Sequence, residues 1–309
     1  MKELRTVTIV GMGALGIMYG KAFADCLGAG AVSFVMDQQR YEKYRGKSVL
    51  CNGVSTSFTL VRAEEAVPSD LVLVAVKGTG LAGAISTMRR CVGPETVLIS
   101  VLNGISSEEV LASAFGAEKI VYAVAQGMDA IKFGSELTFS QRGELRIGIT
   151  KTGRQDNLSA LEQLLDRTGI AWVEEADILR RLWGKLMLNV GINQTCMAYG
   201  CTYGDALAPG EANRTLVAAM REVIAVAQAE GIALTEQDLH GYLALLGTLR
   251  PEGTPSMGQD RIKRRPSEVE LFSGTIRQLA RRHNLVVPTN DFLYQRIREI
   301  EAGYPPEEK

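Results

Sequence analysis

Between Thr6 and Asp37 the chain runs through an order of elements that few folds accept: strand, glycine turn, helix, strand, acid. Thr6 to Val10 is a short apolar strand that passes directly into Gly11-Met12-Gly13-Ala14-Leu15-Gly16. An apolar, alanine-rich helical stretch follows to Leu27, then a second strand from Ala31 to Met36, then Asp37, 21 residues after Gly16. Each glycine has a physical task in such a unit. Gly11 permits the tight turn, Gly13 lets the backbone approach a pyrophosphate, and Gly16 lets helix and strand pack closely. The helix N-terminus offers free N–H groups and the positive end of its dipole to phosphates. A lone glycine pattern is weak. Set between these elements, it predicts that residues 11–16 bind a dinucleotide.

The next apolar runs extend the same plan. Leu71 to Val76 and Val97 to Leu102 are continuous rather than alternating, as parallel strands covered on both faces are. Lys77 follows the first run at once, and Asn103-Gly104 the second. Open parallel sheets bind ligands at the carboxyl ends of their strands, so Gly11, Asp37, Lys77 and Asn103 are expected on one rim. Alone, Lys77 reads as a solvated loop lysine and Asn103-Gly104 as a turn; their shared placement assigns both to the cofactor. The stretch from Val121 to Ile149 alternates and is expected to add strands closing the sheet edge, with Gly134 and Gly143 as turn residues. The expected fold class is α/β, a Rossmann-type dinucleotide-binding domain over residues 1–175 followed by an all-α domain over 176–309. Asp37 suits the ribose hydroxyls of NAD(H) and repels the 2′-phosphate of NADP(H), whereas Arg40 can pair such a phosphate.

Composition narrows the partners. With 46% hydrophobic residues and a formal net charge of −1, the chain has core enough for two domains and no global field favouring nucleic acid or an anionic membrane. No run of about 18 apolar residues predicts a membrane span. Lys2, Arg5 and Ala22-Phe23-Ala24 faintly imitate a signal peptide, but four glycines and Lys21 interrupt the apolar stretch. The five cysteines (Cys26, Cys51, Cys91, Cys196, Cys201) are odd in number and scattered, which suits a reducing cytoplasm. Cys196 and Cys201 have no histidine or acidic cluster beside them for a metal. Gly46-Lys47-Ser48 resembles the end of a phosphate loop, but Tyr41 stands where its first glycine belongs.

Beyond about residue 175 the strand pattern stops, and helices are expected at 178–199, 210–230, 235–249, 256–264, 267–283 and 289–302. The first is apolar on all sides from Leu182 onward, with Asp177 available as its N-cap and Gly200 as its stop. Lys185, Asn189 and Asn193 break that apolar surface at steps of four. Such steps drift about 40° each, so the three side chains form one slowly turning polar stripe. Left unpartnered in the interior, each would cost several kcal/mol, so the stripe is expected to face a cavity. The bland alternative is a chance polar edge with a snorkelling lysine. Farther on, Arg250 to Ser256 reads as a loop, Ser256 opens a short helix that Pro266 ends, and Ser267 with Glu270 forms a capping box. Arg261, Lys263, Arg264 and Arg265 read as a solvated basic face, and Glu268 alone as a first-turn acid.

A nicotinamide cofactor with a polar stripe points to carbonyl reduction, in which developing negative charge on oxygen must meet an acid or cation. Neither His240 nor His283 follows a strand or pairs with an obvious acid, and no tyrosine stands four residues before a lysine. Lys185 is left as the proton donor, its pKa expected to fall with burial. Asn189 and Asn193 are suited to hold substrate oxygens, and Glu268 to fix a hydroxyl or orient the lysine.

Taken together, Gly11 to Gly16, Val76-Lys77, Leu102-Asn103-Gly104, Leu182-Trp183-Gly184-Lys185-Leu186 with Asn189 and Asn193, and Ser256-Met257-Gly258-Gln259-Asp260 with Glu268 twelve residues on resemble the ketopantoate reductases (2-dehydropantoate 2-reductases) over nearly the whole chain. The resemblance implies an oxidoreductase of pantothenate biosynthesis that reduces 2-dehydropantoate to (R)-pantoate with NADP(H). It implies Lys185 as general acid, Asn193, Ser256 and Glu268 in contact with substrate, Asn189 in support, and Lys77 and Asn103 toward the cofactor. A homodimer is left open. Two positions depart from the family: Asp37 stands where it usually has a basic or neutral residue, and Gly253 where it often has a substrate-binding asparagine. Both keep a reductase of another 2-keto acid or a 3-hydroxy acid dehydrogenase in play, and a non-catalytic dinucleotide sensor is the alternative of another class.

Overall fold

The computed structural model describes residues 2–305, and the chain divides into two compact units, Met1–Ile178 and Leu179–Lys309. The first opens with β1 (Val7–Val10), α1 (Ala14–Leu27), β2 (Val32–Met36), α2 (Gln38–Tyr44), β3 (Val49–Cys51), β4 (Val54–Thr56), β5 (Thr59–Arg62) and β6 (Leu71–Val74). It continues through α3 (Leu81–Met88), β7 (Val97–Ser100), α4 (Ser107–Phe115), β8 (Tyr122–Met128), β9 (Ile131–Phe133), β10 (Glu136–Thr138), β11 (Arg142–Gly148), α5 (Gln155–Thr168) and β12 (Trp172–Glu174).

The main sheet is parallel throughout, in the order β5-β2-β1-β6-β7. Its strands are apolar on both faces because both faces are covered. Val7, Ile9, Leu71, Leu73, Val97 and Ile99 pack into one core with α1 and α5. Their neighbours Val10, Val72, Val74 and Leu98 pack into another with α3 and α4. A residue period of two thus divides each strand between two cores. Strand order reverses between β1 and β6, the place where open sheets of this kind bind ligands.

The alternating region departs from expectation. β8 to β11 do not simply extend the parallel sheet: β8, β11 and β12 make a three-stranded sheet, while β9 and β10 join β3 and β4 in a four-stranded one. A bridge from Leu98 to Ile120, with Val121 N donating to Leu98 O at 3.0 Å, links the start of this region to β7. Gly134 sits in the β9–β10 turn as expected, but Gly143 lies inside β11, opposite Gly127, each with positive φ. The alternation was read correctly as strand; the choice of partner sheet depended on non-local pairing.

The second unit contains α6 (Ile178–Leu188), α7 (Gln194–Tyr199), α8 (Tyr203–Leu207), α9 (Glu211–Ala229), α10 (Glu236–Leu246), α11 (Ser256–Ile262), α12 (Thr275–Arg282) and α13 (Pro288–Ala302). The expected helix 178–199 is a rod in three parts: α6, a π-helical turn Asn189–Asn193, and α7, stopped by Gly200 in the left-handed region. Leu182, Trp183, Leu186, Met187, Val190, Ile192, Cys196 and Met197 are all buried, so the rod is the core of this unit. A second π-turn, Glu270–Gly274, leads into α12. It replaces the expected capping box. Ser267 instead donates its N–H and hydroxyl to Glu301 Oε1 at 2.7 and 2.6 Å, and Glu270 accepts from Tyr294 at 2.6 Å. Tertiary acceptors outcompeted the local ones. Lys263, Arg264 and Arg265 are exposed as expected, but Arg261 folds back and donates to the carbonyls of Met197 and Ala198 at the end of the rod.

Candidate active site

In the first unit the glycine turn links β1 to α1. A Cβ on Gly16 would sit 2.0 Å from Gly11 O, and one on Gly11 would sit 2.4 Å from Ala75 O, with φ already +115°. Both positions are closed to any side chain by the protein itself. Gly13 differs: a Cβ there would meet only Ala75 O, at 3.8 Å. Gly13 is exposed and occupies the N-cap of α1, yet no side chain caps that helix. The N-terminus of α1 thus has no side-chain cap and has open space beside Gly13, an arrangement that suits a pyrophosphate.

The parallel register places the expected rim residues together. Asp37, half-buried, follows β2; exposed Lys77 follows β6; half-buried Asn103 follows β7. Asp37 also caps α2, accepting from Arg40 N at 2.8 Å and from Arg40 Nη1 at 3.2 Å. Its carboxylate and Arg40 are therefore paired with each other on the rim. Behind Asn103 lies a cluster that sequence reasoning missed. Ser100 and Ser107 hydroxyls share a 2.8 Å hydrogen bond, Ser107 donates to Glu108 Oε2 at 2.8 Å, and Leu102 N donates to Ser100 Oγ at 3.3 Å. All three side chains are buried. They tether the loop that carries Asn103. A fully buried serine–serine–glutamate set has no periodicity by which sequence could reveal it.

In the second unit the rod presents Lys185 half-buried, with Asn189 8% and Asn193 6% exposed. Lys185 is thus less enclosed than expected of the stripe. The π-turn begins at Asn189 and ends at Asn193, and Asn193 Nδ2 donates to Asn189 Oδ1 at 3.4 Å and to Ser256 Oγ at 3.3 Å. Ser256, exposed at the start of α11, therefore joins the stripe across 63 residues of sequence. Glu268 is half-buried, two residues before the second π-turn. The two histidines lie at the surface, although His283 does have an acidic partner, Glu230 at 2.6 Å. Among the described residues no group of three or more His, Cys, Asp or Glu is placed to hold a metal ion, and no helix is long and apolar enough to cross a membrane.

Comparison with known proteins agrees with this geometry. Residues 7–151 match the family described as Ketopantoate reductase PanE/ApbA, and residues 177–301 match its C-terminal part. The chain belongs to the ketopantoate reductase family. Membership makes it an oxidoreductase of the NAD(P)-dependent dehydrogenase kind. A 2-dehydropantoate 2-reductase of Vibrio cholerae serotype O1 is 25% identical over 252 residues, 80% of this chain and 83% of its own. The crystal structure of 2-dehydropantoate 2-reductase from Geobacter metallireducens GS-15 superposes with a TM-score of 0.82 at 25% identity, covering 95% of this chain and 99% of that one. D-mandelate dehydrogenase in complex with NADH superposes at 0.86 with 19% identity, covering 97% and 100%, a likeness of fold.

Proposed function

We propose that this family member reduces 2-dehydropantoate to (R)-pantoate, a step toward pantothenate and coenzyme A, with Lys185 as general acid. What carries the reading is the joined set Asn189–Asn193–Ser256 about one turn along the rod from Lys185. It offers neutral donors and one cation on a buried helix, while the histidines stand at the surface. Gly11, Met12, Gly13, Ala14, Leu15 and Gly16 hold the cofactor pyrophosphate, and Lys77 and Asn103 hold its nicotinamide half. A bound nicotinamide supplies the hydride. Lys185 Nζ delivers the proton that quenches charge on the new hydroxyl oxygen. Asn193 and Ser256 hold substrate oxygens, Asn189 fixes the carboxamide of Asn193, and Glu268 accepts from a substrate hydroxyl. On the ribose side Asp37 favours NADH, because a carboxylate accepts from two hydroxyls but repels a 2′-phosphate. Arg40, exposed beside it, is the group that would favour NADPH instead.

Gly253 favours a second reading, reduction of a different 2-keto acid. A Cβ at Gly253 would come 3.1 Å from the Tyr203 ring, and Tyr203 N donates to Gly253 O at 2.9 Å. The ring thus crowds the position where the family often carries a substrate-binding asparagine. Turnover of 2-dehydropantoate and 2-ketoisovalerate with NADH and NADPH decides between them. A clear preference for 2-dehydropantoate is expected. Equal or better use of 2-ketoisovalerate replaces the first reading with the second, and tight cofactor binding without turnover of either acid leaves a sensor.

A further inference from the structure

Inside the second unit Gln194, Ser273 and Asn290 are each fully buried polar side chains. They are linked. Gln194 Nε2 donates to Val190 O at 2.9 Å, and Ser273 N donates to Gln194 Oε1 at 3.1 Å. Ser273 Oγ donates to Asn290 Oδ1 at 2.9 Å, and Asn290 Nδ2 donates to Glu222 Oε2 at 2.7 Å and Ala219 O at 3.3 Å. Glu222 also accepts from the N–H groups of Thr289 and Asn290, at the start of α13.

This chain of bonds joins the two π-turns through Gln194 and Ser273 and runs on through Asn290 to α9. In a regular α-helix the N–H of residue 194 would bond to the carbonyl of residue 190. Here Gln194 N bonds to Gly191 O, and the residue's own side chain goes to Val190 O. Its other carboxamide atom accepts a backbone N–H from the second π-turn. One side chain therefore bonds to the first π-turn and to the second. Wide turns of this kind persist only where their surroundings enforce them, and they concentrate at functional sites.

We propose that Gln194 is a positioning residue. Its carboxamide holds the Asn189–Asn193 turn and the Glu270–Gly274 turn in one register, and so fixes Asn193 relative to Glu268, with Ser273, Asn290 and Glu222 as the anchor. The assignment rests on the reading above that Asn193 and Glu268 touch substrate. Gln194→Met keeps the length and volume of the side chain and removes both hydrogen bonds. Amide hydrogen exchange is expected to rise at least tenfold in both π-turns of that variant, while the glycine-turn peptides stay unchanged. The KM for the 2-keto acid is expected to rise about tenfold, with a smaller change in kcat and an unchanged Kd for the cofactor. In an Asn193→Ala background, Gln194→Met is expected to add less than a twofold change. Ser273→Ala, which cuts only the onward link, serves if Gln194→Met does not fold; its second turn is expected to exchange faster and its KM to rise about threefold. Unchanged exchange in the Glu270–Gly274 turn, or a full tenfold loss on top of Asn193→Ala, overturns the proposal. Exchange is read without turnover, so a wild type that reduces no 2-keto acid defeats the functional reading while the clamp is still decided.

Discussion

At the glycine turn what the proposed site offers is backbone, and what matters in the sequence is the absence of side chains. At the polar stripe the groups are side chains, carried on a π-turn that is hydrogen-bonded to residues far along the chain. The first arrangement is local, spanning Val10 to Gly16 and the strand beside it. The second draws Ser256 and Ser273 onto the rod from 63 and 79 residues away. A local device is robust to its surroundings but intolerant of a single methyl. A distributed device accepts individual substitutions but loses aim when a distant support is cut.

Single substitutions separate these two kinds of construction. The largest effect is expected from Gly16→Ala, whose Cβ would fall 2.0 Å from Gly11 O; destabilisation of about 4 kcal/mol or more should appear as poor soluble yield or a collapsed thermal transition. Gly13→Ala, with its nearest contact at 3.8 Å, should melt like the wild type yet bind NAD(P)H about tenfold more weakly, about 1.4 kcal/mol. Normal affinity in that variant would remove Gly13 from the cradle.

On the side-chain half, Lys185→Ala should lower kcat by about 10²- to 10⁴-fold while leaving cofactor affinity within about a factor of two. Single-turnover kinetics with saturating cofactor measures this directly, and a near-normal rate means another group donates the proton. A smaller effect is expected at the ribose end. Asp37→Ser keeps an oxygen to cap α2 and should shift the ratio of kcat/KM values toward NADPH by about tenfold, about 1.4 kcal/mol. Asp37→Ala should make the same shift and also lose about 1 kcal/mol of stability with the cap. An unshifted ratio in both variants would acquit Asp37 of cofactor choice.

The smallest effect concerns pH. Burial pushes the Asp238 carboxyl up, but hydrogen bonds from Thr235 and the Arg180 guanidinium outweigh it and leave it below its ordinary value. A carboxyl depressed in the folded state contributes stability above its unfolded pKa of about 3.9 and loses it as the pH falls through the lower folded value. Melting curves of wild type and Asp238→Asn should therefore converge as the solution is acidified below about pH 4. Parallel curves over that range mean the carboxylate contributes nothing.

The legibility of the chain follows the same division. The limits of α1 and the apolar strands at Leu71 and Val97 could be read to within a residue or two, because glycine sterics and two-sided burial leave a mark at each position. Lys185, Asn189 and Asn193 stood out because carboxamides and a lysine contrast with an apolar helix, and Gln194 carried the same contrast one residue farther on. Ser273 and Asn290 carried none, since a serine and an asparagine near helix starts have ordinary local explanations. The capping box predicted at Ser267 and Glu270 failed for a related reason: Glu301 and Tyr294 offered better partners, and neither is near in sequence.

The sequence by itself determined that residues 6–37 run strand, glycine turn, helix, strand and that a largely buried helix carries a lysine and two carboxamides in one stripe. Both depend on sterics and polarity within a few residues. Tertiary structure alone decided which sheet the Val121–Ile149 strands would join, how widely the rod would turn at Asn189, and which serine Asn193 would meet. Those outcomes are set by competition among distant partners for the same backbone and amide hydrogen bonds, and sequence distance gives no measure of that competition.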